Sequence, residues 1–116
     1  MAIQNIFVVG AGLMGSGIAQ NAITSGFDVT LNDKQQAAVE RAQVVIKKAL
    51  AREVSKGRMT QEAMDEALTH LTVDSGMEGA KKADLVIEAI YENLEAKQAV
   101  FTELEDLCPA KTIFAS

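Results

Sequence analysis

Ile3-Gln4-Asn5-Ile6-Phe7-Val8-Val9-Gly10-Ala11-Gly12-Leu13-Met14-Gly15 is the stretch that decides the fold. Its first part, Ile3 to Val9, is an apolar run of strand length, rich in Ile, Val and Phe, and it stops at Gly10. Unbroken apolarity, in place of alternation, is what a parallel strand covered on both faces shows. Residues Gly10 to Gly15 spell G-x-G-x-x-G, a string that is weak evidence alone because small residues are common in turns. Here it follows a strand and opens a helix, and an acidic residue, Asp33, ends the second strand within a unit of about thirty residues. Each glycine has a mechanical reason. Gly10 allows the tight turn, Gly12 lets a pyrophosphate reach the backbone, and Gly15 brings helix and strand into close contact. Leu13 and Met14 begin the helix, whose amino terminus offers free N–H groups and a positive dipole end to phosphates. The competing reading is a glycine turn with a packing purpose only.

Asp33 discriminates between dinucleotides. A carboxylate at this position accepts hydrogen bonds from the adenosine ribose hydroxyls and repels the extra 2′-phosphate of NADP, so NAD is the expected cofactor. Lys34 adjoins it and softens that preference. The competing role for Asp33 is to cap the helix that follows.

Working outward, the helical pattern from Leu13 to about Ser25 places Leu13, Ile18, Ala19, Ala22 and Ile23 along one side, with Gly26 as the C′ residue. A second strand runs from Phe27 to Asn32. Val39, Ala42, Ile46, Ala49 and Leu50 then recur at helical spacing between about Gln35 and Val54, and Gly57 breaks the run. Thr60 caps a further helix with Ala63, Met64, Ala67, Leu68 and Leu71 on its inner side and Glu62 in its first turn. The two form a helical hairpin. A short strand at Leu71 to Val73, a polar segment to Asp84, a strand from Leu85 to Ile90, a helix from Leu94 to Leu107 stopped by Pro109, and an extended Thr112 to Ala115 complete the chain. Alternating strands and helices predict an α/β fold: a Rossmann-type parallel sheet with helices on both faces and a helical hairpin insert between strands two and three.

Composition narrows the function classes. The chain has 116 residues, 48% hydrophobic and 23% charged, with 11 basic against 16 acidic side chains and a formal charge of −5. That is about one domain. The acidic sign argues against a nucleic-acid face, which needs a surplus of Lys and Arg. No apolar stretch approaches the roughly 20 residues of a membrane span. The first basic residue is Lys34, so the charged n-region of a secretory signal is missing, and the lone Cys108 suits a reducing cytoplasm. No grouping of His, Cys and carboxylates has metal-ligand spacing.

With these residues in view, the sequence resembles the 3-hydroxyacyl-CoA dehydrogenase family over essentially its whole length, including the short-chain 3-hydroxybutyryl-CoA dehydrogenases of bacteria. The resemblance rests on Ile6-Phe-Val-Val-Gly-Ala-Gly-Leu-Met-Gly-Ser-Gly-Ile-Ala, on Asp33, on Leu85-Val-Ile-Glu-Ala-Ile-Tyr-Glu92 followed by Lys97, and on Thr112-Ile-Phe-Ala-Ser. The acidic residue inside the fourth strand, the one after it and the lysine five residues on are its specific part. It implies that Glu92 and Lys97 contact the nicotinamide side of NAD, with Ala89 beside them on the strand end. Glu88, a carboxylate in an apolar strand, needs a partner or water if buried. It is read as a residue that shapes the cleft and not as catalytic.

Lys47, Lys48, Arg52, Lys56 and Arg58 place five of eleven basic residues within twelve positions. The resemblance implies that the hairpin reaches along an acyl-CoA and that Lys56 contacts the CoA portion. A cationic patch suits its phosphates. Ala49 stands where the family often has a serine contacting CoA. A solvated helix face is the competing reading.

The family oxidises a 3-hydroxyacyl-CoA to the 3-ketoacyl-CoA, passing hydride to NAD and the proton to a histidine base oriented by a glutamate. The resemblance places both groups beyond Ser116, so this chain is expected to be the amino-terminal NAD-binding domain, residues 1–116, of a longer, dimeric enzyme. No catalytic residue is expected within it, and it should hold NAD without turnover. The single histidine, His70, is read as a surface or helix-end residue that nothing orients. Cys108, at a helix carboxyl end, is read as a packing residue. Two alternatives remain: a non-catalytic nucleotide-binding regulatory module on the same fold, and an NAD-dependent 3-hydroxyacid dehydrogenase acting on free acids. The cationic hairpin argues against the latter.

Overall fold

The computed structural model describes residues 3–90, 94–108 and 112–115. The elements run β1 (Asn5–Val9), α1 (Leu13–Thr24), β2 (Asp28–Asn32), α2 (Gln36–Ser55), α3 (Gln61–Thr69), β3 (Leu71–Asp74), a 3₁₀ helix (Glu78–Lys82), β4 (Leu85–Glu88), α4 (Leu94–Leu107) and β5 (Ile113–Ala115). Every pairing is parallel and the strand order is β3-β2-β1-β4-β5. The chain therefore builds outward from β1 first in one direction and then in the other, leaving a switch point between β1 and β4. In open α/β sheets ligands bind outside the carboxyl ends of the strands at such a point.

Alternation along β1 divides the core in two. Ile6 and Val8 face α1, α2 and α3, packing with Val29, Leu31, Ala19, Ile23, Val39, Ala42, Ile46 and Leu50. Phe7 and Val9 face the other way, against Val86, Ala80, Ala83 and Leu104. The expected two-sided covering is present, with the hairpin insert stacked on the α1 side. Thr60 caps α3 as its position predicts, its hydroxyl accepting the Ala63 N–H at 3.0 Å. Met59 and Met64 pack against the first core and Met77 against the second.

Four expectations need correction. Leu13 is not on the buried stripe of α1 but 86% exposed, because the buried face of that helix is set by Gly15, Ser16, Ala19 and Ile23, and Leu13 falls off that face at helical spacing. Ala63, in the first turn of α3, is exposed as well. The fourth strand ends at Glu88 and not at Ile90, since the Glu88 carboxylate takes the Ile90 N–H out of the ladder. The polar segment before Asp84 holds the 3₁₀ helix, anchored by the fully buried Ala80. One buried alanine gives no periodicity to read.

Candidate functional site: the turn at the carboxyl edge of the sheet

The turn after β1 is built from three glycines with three different constraints. Gly10 donates its N–H to Asn32 O at 2.7 Å and has φ +106°, a backbone region that side chains disfavour. A Cβ placed on it would lie 2.6 Å from the Ala89 carbonyl oxygen at the end of β4. Gly15 is tighter still: a Cβ there would fall 1.7 Å from the Gly10 oxygen, so α1 presses directly on the turn. Gly12 is different. Its φ is an ordinary −76°, and no atom of the described residues lies within 4 Å of where its Cβ would be.

The protein's own atoms thus require the first and third glycines, while the second faces open space. Gly12 is also the N-cap of α1. No side chain caps that helix and no acidic residue stands in its first turn, so the amide groups of its first turn are left for an external acceptor. Leu13 and Met14, 86% and 43% exposed, stand at the opening. This is the arrangement that a pyrophosphate requires, and the residues present fit a dinucleotide.

Asp33 performs both roles considered for it. One carboxylate oxygen accepts the Ala11 N–H at 3.1 Å and the other the Gln35 N–H at 3.0 Å, so it ties the glycine turn to the start of α2. It stands beside the turn, with lone pairs left to accept ribose hydroxyls. Sequence reasoning missed two further supports. Buried Ser16 donates its hydroxyl to Ala11 O at 3.4 Å. Buried Asn32 donates its amide to Asp74 O and Gly76 O at 3.2 and 2.6 Å, holding the end of β2 to the segment after β3. A polar residue closing an apolar strand is the signal that marks Asn32.

Across the switch point, Ala89 is buried and donates its N–H to Val9 O at 2.8 Å. Glu88, 4% exposed, accepts the Ile90 N–H. Glu92 lies outside the described residues. Lys97 belongs to α4, but its side chain also lies outside them.

Lys56 is the C-cap of α2 and is exposed. Twenty helical residues separate it from the Asp33 end of α2, roughly 30 Å at 1.5 Å per residue. The fold does not bring it to the glycine turn, so a molecule touching both must be long. Lys47, Lys48 and Arg52 are exposed along the same helix, whereas Arg58 pairs with Glu53 at 2.8 Å.

His70 is a correction. It does sit at a helix end, as the C-cap of α3, but two carboxylates orient it: Nδ1 is 2.7 Å from Asp28 Oδ1 and Nε2 is 3.4 Å from Glu66 Oε1. The hydrogen bond to Asp28, with its charge and that of Glu66, raises the imidazole pKa despite partial desolvation. The cluster borders a cavity of about 180 Å³ lined by Asn5, Asp28, Thr30, Thr72 and Lys82, at the amino edge of the sheet, opposite the glycine turn. Cys108 packs as expected: its thiol donates to Ala80 O at 3.3 Å, and burial pushes its pKa up. Among the described residues there is no cluster fit to hold a metal ion, and no helix long and apolar enough to cross a membrane.

Comparison with known proteins agrees with this geometry. Residues 5–116 match the family model of the 3-hydroxyacyl-CoA dehydrogenase NAD-binding domain. All 116 residues align at 43% identity with a probable 3-hydroxybutyryl-CoA dehydrogenase of Bacillus subtilis, covering 40% of that protein. A 3-hydroxybutyryl-CoA dehydrogenase of Clostridioides difficile is 37% identical over 97% of the chain and 40% of its own length. Among solved structures, a 3-hydroxybutyryl-CoA dehydrogenase of Escherichia coli superposes with a TM-score of 0.94 at 37% identity, over 98% of this chain and 24% of that one. The chain spans about two-fifths of the length of the first two relatives.

Proposed function

Because this chain belongs to the family of 3-hydroxyacyl-CoA dehydrogenase NAD-binding domains, we propose that it is the amino-terminal, NAD-holding part of an enzyme that interconverts 3-hydroxyacyl-CoA and 3-ketoacyl-CoA in fatty-acid or butanoate metabolism. The observation that carries this reading is Gly12: a glycine with ordinary backbone angles and, among the described residues, nothing beside it, at the uncapped start of a helix.

In this reading the amide groups at the start of α1 hold the pyrophosphate and Asp33 accepts the adenosine ribose hydroxyls, which favours NAD over NADP. Leu13 and Met14 exclude water at the mouth. Ala89, just after β4, serves the nicotinamide half together with Glu92 and Lys97. Bound NAD supplies the hydride acceptor for the hydroxyl-bearing carbon. The proton of that hydroxyl goes to a histidine outside this chain; His70, tied to Asp28 and Glu66 at the opposite edge, has no part in it. Lys56 and the exposed lysines of α2 attract the phosphates of CoA, a ligand long enough to reach along the hairpin. The parent enzyme is a cytoplasmic, bacterial homodimer in this account.

Calorimetric titration with NAD and NADP, beside a dehydrogenase assay with acetoacetyl-CoA and NADH, tests the proposal. NAD binding without turnover is the expected result. Turnover by the 116-residue chain would contradict the assignment of the base to other sequence, and absence of nucleotide binding would reduce the turn to a packing device.

A further inference from the structure

The carboxyl group of Glu88 is buried on the sheet face that carries Phe7, Val9 and Val86, where a polar group needs hydrogen-bond partners. In the β1–β4 register it lies opposite Val9, on the sheet face turned toward α4. Its carboxylate accepts the N–H of Ile90. That N–H belongs to the same peptide unit as the Ala89 carbonyl, and the chain contains no cis peptide among its described residues. In a trans peptide the two groups point in opposite directions. Drawing the N–H toward the α4 face therefore directs the carbonyl toward Gly10. The geometry there is tight: from the position of a Cβ on Gly10, the Ala89 oxygen is 2.6 Å away, its carbonyl carbon 2.9 Å and the Ile90 nitrogen 3.4 Å. The whole peptide unit forms the wall against which the first glycine of the turn is set.

We propose that Glu88 is a positioning residue for the dinucleotide turn: by holding the Ile90 N–H it fixes the plane of the Ala89–Ile90 peptide, and that plane sets the floor between β1 and β4 on which the cofactor turn rests. The inference deepens the NAD-binding reading and rests on it. A rotated peptide would move the carbonyl away from Gly10 and open the floor without disturbing the apolar layers beneath.

Two variants separate positioning from space-filling. Glu88→Met keeps volume in an apolar layer but removes the acceptor, while Glu88→Gln keeps an acceptor oxygen at the same reach. Positioning predicts that Glu88→Met loses about tenfold or more in NAD affinity by titration, with faster hydrogen exchange at the Ile90 and Gly10 amides. Glu88→Gln should stay within about threefold of the parent on the same scale. A methionine variant that binds NAD like the parent, or keeps Ile90 protected, overturns the inference. So does a folded glutamine variant as weak as the methionine one, and this arm decides the matter if Glu88→Met does not fold. Should the parent itself bind no NAD, the proposed function fails, and the exchange rates at Ile90 and Gly10 alone decide the role of Glu88.

Discussion

The two edges of the one sheet solve opposite problems. At the amino edge, side chains bind side chains and chain ends: Asp28 takes His70 at 2.7 Å and Gln4 Nε2 at 3.0 Å, and Asp84 accepts the Gln4 and Asn5 amides, both at 2.9 Å. At the carboxyl edge the polar side chains Asp33, Asn32 and Glu88 turn to backbone groups and shape the turn, while the amides at the start of α1 are left open. One edge closes its charges on itself; the other uses its charges to hold a mould. Damage to the first should show in stability and its pH dependence, and damage to the second in binding.

The most severe way to break that division is Gly15→Ala. A methyl group 1.7 Å from the Gly10 oxygen cannot be housed without moving α1 off the turn, so urea unfolding should show a loss of about 3 kcal/mol or more. Gly12→Ala is the sharper test. Its methyl meets no atom of the described residues, so stability should change by less than about 1 kcal/mol, while calorimetry should record a loss of NAD affinity of at least about tenfold. A binding-competent Gly12→Ala protein would refute the ligand reading of the open space. Asp33→Ala should do some of each: two amides lose their acceptor, costing about 1–2 kcal/mol in unfolding experiments, and NAD affinity falls by more than that destabilisation alone explains.

The smallest effect belongs to the amino edge. The His70 pKa is raised above its ordinary 6.5 and that of Asp28 is lowered below its ordinary 3.8, each mainly by the hydrogen bond between them. The imidazolium contribution to folding is therefore complete below 6.5 and is lost as pH rises through the raised value. The carboxylate contribution is present above 3.8 and is lost as pH falls through the lowered value. Melting curves of the parent should thus decline more steeply than those of His70→Gln as pH rises above 6.5, with NAD affinity at fixed pH equal in both. Parallel declines would remove His70 from the stability balance.

These edges were not equally legible in the sequence. The parallel sheet, its two-sided core and the hairpin insert follow from periodicity, because burial on a parallel sheet imposes long apolar runs and helical stripes that survive in one dimension, whereas the strand order leaves no such trace. The glycine turn is legible because three glycines at fixed spacing stand between an apolar strand and a helical stripe, with an acidic residue closing the next strand. What could not be read is contact between distant residues: that Asp28 and His70, forty-two positions apart, meet at one edge, or that Asp33 reaches back across twenty-two positions to Ala11. Such pairs leave no local period. Leu13 shows the converse error, since apolarity alone put it on a stripe whose buried face is set instead by Gly15, Ser16, Ala19 and Ile23.

The double engagement of Asp33 sets a limit on redesign. Converting the cofactor preference from NAD to NADP calls for removing a negative charge at that position, yet each of its two oxygens already secures a different main-chain amide. A neutral replacement with one acceptor can serve Ala11 or Gln35 but not both. A change of cofactor here is therefore at least a two-site problem: the charge must go, and a new anchor for the orphaned amide must arrive with it. A lineage or a library that samples single substitutions would meet a loosened turn before it met a new specificity.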